Sequence, residues 1–175
     1  MATSLQFIKS ASGSGVSSLD ITDCFSADYD VYYLSITKID QSSNGTFVYH
    51  RLLDSSNVAI SDSSYDQAIS ILSSNGGTFS EYKTINQSSG FGIAGYGMRD
   101  IEDGMGNSAY IFNPYDSSSY TFFTAQSSFI LNAGTAMEGY KTISVLKSAE
   151  QCNGIQLNAG VGDFTNIKAT VYGVK

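Results

Sequence analysis

The segment Asn166-Ile167-Lys168-Ala169-Thr170-Val171-Tyr172-Gly173-Val174 alternates strictly, with Ile167, Ala169, Val171 and Gly173 on one side and Lys168, Thr170, Tyr172 and Val174 on the other. A period of two is the signature of an extended chain with one buried face. The segment therefore reads as a β-strand near the end of the fold. Val31 to Ile39 repeats the pattern, with Tyr32, Leu34 and Ile36 opposed to Ser35 and Thr37. Asn44-Gly45 follows and tolerates the positive φ of a type I′ turn, so the chain is expected to return through Phe47, Val48, Tyr49 and Leu52 as a hairpin.

Working outward, the same test marks strands at Leu5–Lys9, Val16–Thr22, Ala68–Leu72, Phe91–Gly97, Ser108–Phe112, Thr121–Leu131, Lys141–Leu146 and Gly154–Asn158. Turn signals separate them: Gly13-Ser14-Gly15, Asn75-Gly76-Gly77, Asp103-Gly104, Asn113-Pro114 and Asn153-Gly154. Sustained helical periodicity is absent. The fold class predicted is all-β, an antiparallel, jelly-roll-like β-sandwich of about eight to ten strands. At 175 residues, with no internal repeat and no shift in composition, residues 1–175 read as one domain. Pro114 falls between strands, where a missing N–H costs no ladder bond. The short serine clusters at 63–64, 88–89 and 117–119 read as loops.

Composition narrows function. The net charge is −7 and the nine Lys and Arg are scattered singly, so there is no basic stripe for phosphates; nucleic acid and anionic membrane are not expected partners. Only 14% of residues are charged, which leaves a surface rich in hydroxyls and amides. Met1 to Asp20 lacks a basic segment followed by an apolar run, and no stretch approaches the ~20 apolar residues of a membrane span. A soluble chain without an export signal is the expectation. Cys24 and Cys152 have no metal-ligand spacing around them and are expected to be free, partly buried thiols.

Catalytic patterns are hard to assemble. A serine or cysteine nucleophile needs a base, and the one histidine, His50, sits on a strand where it reads as exposed or satisfied. Gly90-Phe91-Gly92-Ile93-Ala94-Gly95 has dinucleotide-fingerprint spacing but no following helix, so a glycine-softened strand or bulge is expected. Asp100, Glu102, Asp103 and Asn107 offer oxygen ligands on a glycine-containing loop, as calcium prefers, against the plainer reading of a solvated acidic loop. Asp20, Asp23, Asp28 and Asp30 form a second acidic group from which a glycosidase pair could be drawn. Twelve Tyr offer contact surface for protein or glycan, although an ordinary strand-forming role is simpler. No catalytic, cofactor or metal residue is assigned, and a non-enzymatic module without a cofactor is expected.

Two segments resemble a known group. Leu5-Gln6-Phe7-Ile8-Lys9-Ser10, continuing through Gly15-Val16-Ser17-Ser18 and Thr22-Asp23-Cys24-Phe25-Ser26-Ala27-Asp28-Tyr29-Asp30, is similar to small virion proteins of tailed bacteriophages of marine bacteria and cyanobacteria. The closing Ile167 to Lys175 resembles the strand on which such proteins end. General character agrees between the ends, including the expected hairpin after Tyr33 and the segment Ile111-Phe112-Asn113-Pro114-Tyr115. The resemblance implies a β-sandwich virion surface protein, a homotrimer, of the structural or tail-fibre type. Because the sandwich begins within the first few residues, a head decoration or cement protein, or a capsid-borne fibre tip, is expected ahead of a tail-fibre or receptor-binding module that contacts host surface glycans.

Overall fold

The computed structural model describes residues 4–43, 47–74, 79–94, 105–131 and 136–175. Twelve strands are found there and no helix. They are β1 (Leu5–Gly13), β2 (Ser18–Ile21), β3 (Val31–Gln41), β4 (Val48–Asp54), β5 (Tyr65–Ser73), β6 (Ser80–Gln87), β7 (Phe91–Ala94), β8 (Met105–Phe112), β9 (Thr121–Leu131), β10 (Ala136–Leu146), β11 (Cys152–Asn158) and β12 (Phe164–Val174). All pairings are antiparallel, in an eight-stranded sheet ordered β1-β12-β3-β8-β9-β10-β5-β6 and a four-stranded sheet ordered β2-β11-β4-β7.

The pairs nest. β2 joins β11 in the small sheet, β3 joins β8 in the large one, β4 joins β7 in the small one and β5 joins β6 in the large one. That alternation between layers is the winding of a jelly roll. The strand count exceeds the expected eight to ten because β9 and β10 extend the large sheet between β8 and β5, while β1 and β12 extend it beyond β3.

The expected alternation is what holds the layers together. In β12, Ile167, Ala169, Val171 and Gly173 are buried, and in β3 Tyr32, Leu34 and Ile36 are buried. All but Gly173 join Ile21, Leu52, Phe91, Phe123, Ile155 and Phe164 in one apolar cluster between the sheets. Each Val, Leu, Ile or Phe side chain so removed from water contributes about 1.5–3 kcal/mol.

Three local expectations are corrected. β3 and β4 do not form a hairpin, since β3 pairs with β12 and β8 while β4 pairs with β11 and β7; the connection crosses between layers. Asn44-Gly45 itself lies outside the described residues, as do Asn75-Gly76-Gly77 and Asp103-Gly104. Asn153-Gly154 is a bulge within β11, where the register shifts and Gly154 lies against Ile21, not a turn. A Cβ there would stand 2.3 Å from the Ile21 carbonyl oxygen, an approach only glycine permits. Finally, β6 is absent from the sequence reading. As the last strand of the large sheet it has no fully buried residue, so it carries no burial alternation to read.

Candidate binding face of the eight-stranded sheet

The face of the large sheet turned away from the small one is built in rows by strand register. Phe7 of β1 lies opposite Tyr172, Tyr172 opposite Tyr33, Tyr33 opposite Tyr110, Tyr110 opposite Thr124, and Thr124 opposite Ile143. The rings touch in sequence. Centroids are 6.2 Å apart for Phe7 and Tyr172, 6.2 Å for Tyr172 and Tyr33, and 5.2 Å for Tyr33 and Tyr110. A second row sets Val31 opposite Phe112, Phe112 opposite Phe122, and Phe122 opposite Val145, and Tyr110 meets Phe112 at 6.5 Å. Aromatic neighbours at such distances add stabilisation beyond their buried area. Even so, Phe7 is 58% exposed, Phe122 49% and Tyr110 44%.

On the other side of the aromatic row runs a hydroxyl and amide row, Ser10, Thr170, Ser35, Ser108 and Gln126. Neither the two apolar rows nor this row bears a charge between β1 and β9, in a chain of net charge −7. Five strands at ~4.8 Å and about six residues at ~3.3 Å give an uncharged face on the order of 500 Å², of which the two apolar rows are the larger part. The largest apolar patch on a soluble protein, a few hundred Å², is often an interaction site.

At the far end of the same face a groove of about 900 Å³ runs over β5. Its floor is Ala68 and Ser70, short side chains with taller neighbours on either side. Ile143 and Lys141 of β10 stand across from them in register on one side, Lys83 and Glu81 of β6 on the other, with Phe79 beside.

The residues singled out from sequence lie elsewhere. His50 is on β4, facing inward and wholly buried, with its ring edge-on to Phe123 at 5.0 Å. Neither ring nitrogen has a hydrogen-bond partner among the described residues, so the expected exposed or satisfied histidine is instead buried and unpaired. Burial alone pushes its pKa down to about 3. Enclosed and neutral, it is out of reach of any substrate on either sheet face. Cys24 and Cys152 are free and buried, as the sequence suggested. Burial raises both thiols to about 12, Lys9 opposing this at Cys24 and Glu150 adding to it at Cys152.

The four aspartates near the N-terminus are each engaged with a different partner. Asp20 accepts from Gln156 at 2.9 Å, Asp23 from Asn57 at 3.0 Å and Asp28 from Ser26 at 3.1 Å, while the Asp30 carbonyl accepts from the Asn113 N–H at 2.7 Å. Asp100, Glu102 and Asp103 lie outside the described residues. Asn107 is on β8, buried, donating to the Gln126 carbonyl at 3.2 Å, and so belongs to the strand, not to the acidic loop. Among the described residues no group of three or more His, Cys, Asp or Glu is placed to hold a metal.

The glycine-spaced segment is strand β7, with a register shift against β4 as expected of a softened strand. Gly92 donates its N–H to the Gln67 side chain at 2.7 Å, and Gly90 has φ of +91° with its Cα beside the His50 carbonyl. Gly95 is outside the described residues.

Fold and face together define an all-β, jelly-roll-like sandwich whose most distinctive surface is a broad, uncharged, aromatic sheet face. Comparison of the chain with protein-family models, with curated proteins and with solved structures gives no match.

Proposed function

We propose that the protein is a non-enzymatic structural component of a bacteriophage particle, carried on the exterior as a head decoration or cement protein or as a capsid-borne fibre tip. The observation that carries this reading is the uncharged aromatic face of the large sheet. Its area, on the order of 500 Å², is the larger part of the ~800 Å² per partner of a standard protein interface. Charge-poor composition and tyrosine enrichment suit such a contact, and the phage assignment comes from the resemblance of the two chain ends. The face docks on virion protein and on further copies of the chain, which assemble as a homotrimer. Many copies on a symmetric shell turn modest single contacts into lasting attachment.

A particle reconstruction tests the address: density at capsid symmetry axes in many copies is expected, and density only at tail extremities overturns it. In solution, Tyr110→Lys with Phe122→Lys should convert oligomer to monomer in light scattering while leaving the far-UV circular dichroism unchanged, because both rings point away from the core. A wild-type chain that is monomeric and does not bind purified particles lacking it would defeat the docking role of the face.

A further inference from the structure

We propose that the groove over β5 is a binding site for a carboxylate-bearing saccharide chain. The chain's basic side chains carry the first part of the argument. Among the described residues, Lys9 bonds Thr22, Lys38 pairs with Asp40, Arg51 donates to the Ser89 carbonyl, Lys147 is held by Asp66 and Asn86, and Lys175 lies over the Tyr29 ring. Lys83, Lys141 and Lys168 have no such partner there, and Lys83 and Lys141 both line this groove. They reach in from opposite walls over a floor of Ala68 and Ser70, leaving a locally cationic trough in a chain of net charge −7. Glu81 offsets one of them, so the site suits a ligand with spaced single negative charges better than a dense polyanion.

The groove's position separates saccharide from peptide. An extended peptide gains affinity by adding main-chain bonds to a free strand edge. β5 has no free edge, because its backbone is paired with β10 on one side and β6 on the other. A ligand lying over it must therefore be held by side chains. Those present are a flat ring (Phe79, 81% exposed), the aliphatic Ile143, and the hydroxyl of Ser70 on the floor. Flat apolar faces meet the C–H face of a pyranose, a serine hydroxyl bonds its hydroxyls, and lysine bonds its carboxylate. An apolar lining with a few placed polar groups is the usual composition of a ligand site. The inference does not rest on the virion reading; a chain found at any position on or off a particle would retain the groove.

The test uses the full chain labelled with ¹⁵N, titrated with trigalacturonate and with sialyllactose, against galactotriose and an extended Glu-containing tetrapeptide. Amide shifts centred on Ala68, Ser70, Lys83 and Lys141 are expected with at least one of the acidic sugars, weakening as salt is raised. Lys141→Glu and Lys83→Glu should each weaken that binding at least tenfold, and Lys168→Glu should leave it within twofold. Both groove lysines are exposed, so an unchanged melting curve verifies the fold of each variant. Absence of shifts with both acidic sugars at millimolar concentration overturns the proposal. So does equal binding of galactotriose, or stronger binding of the peptide.

Discussion

His50 makes acid the most informative stress for this fold. Its imidazole is fully buried against Phe123 with both nitrogens unpaired among the described residues, and burial places its pKa near 3 against an ordinary 6.5. The folded value lies below the unfolded one, so as pH falls the unfolded chain takes up the proton first. Stability tied to neutral His50 is therefore whole above about pH 6.5 and drains as pH falls toward 3. The slope is ~1.4 kcal/mol per pH unit, which removes about 3 kcal/mol by pH 4.5 and about 4 kcal/mol by pH 3, where the folded chain begins to take up the proton too. Against a total of ~5–15 kcal/mol for an ordinary domain, that is a large share. Urea unfolding followed by circular dichroism at pH 7.0, 5.5 and 4.5 measures it, in the native chain and in His50→Leu. Carboxylates such as Asp66, held low by the Asn86 N–H and then by Lys147, titrate in both proteins and cancel in the difference. The native chain should lose about 3 kcal/mol more than the variant between pH 7.0 and 4.5. The His50 ring proton should also show a flat NMR shift from pH 8 to 5. Parallel losses in the two proteins, or a ring that titrates near 6.5, would refute the reasoning.

Other substitutions probe individual devices. Gly90→Ala forces a Cβ to within 2.1 Å of the His50 carbonyl oxygen at a φ of +91°, and should cost at least ~2 kcal/mol in urea unfolding. Tyr32 donates its hydroxyl proton to the Ser26 carbonyl at 2.8 Å and accepts the Ser26 N–H at 2.7 Å, closing the loop before β3. Tyr32→Phe should cost about 1–3 kcal/mol by the same measurement. Cys24 and Cys152, buried with pKa values near 12, should resist a thiol-reactive disulfide reagent at pH 8 in the native chain and react fully in denaturant.

Where one strand face is buried, the fold could be read from the chain. Ile167, Ala169 and Val171, or Tyr32, Leu34 and Ile36, stand on the buried side because alternation and burial coincide there. β6 fails that test because neither of its faces is enclosed. The assumed hairpin at Asn44-Gly45 fails for another reason. Local turn chemistry cannot distinguish a return within one sheet from a crossing to the other, which is decided by partners as remote as β11 and β12. His50 was legible by parity, since it shares its side of β4 with Val48 and Leu52, both buried. The aromatic face needed more than parity. Each strand gives one ring, and only the order β1-β12-β3-β8 with its register makes Phe7, Tyr172, Tyr33 and Tyr110 neighbours.

That face carries rings outside a core that already holds its own. Inside the large sheet Ala109, Ala125, Ala169 and Gly173 lie among Tyr32, Ile111, Phe123 and Val171, while Tyr110, Phe122 and Tyr172 of the same strands point out. Packing of the inner face on the second sheet asks for no rings on the opposite side, and β-propensity alone would be met by Thr or Val. Free in solution, the rings remain partly hydrated at a cost in apolar exposure. They are also already ordered against one another, with only two side-chain torsions each to fix, so a partner that covers them gains buried area with little further loss of entropy. The adjoining row from Ser10 to Gln126 adds donors and acceptors that must be matched, which supplies orientation. A preordered apolar band bordered by hydroxyls on a rigid sheet is thus suited to a fixed, specific protein contact.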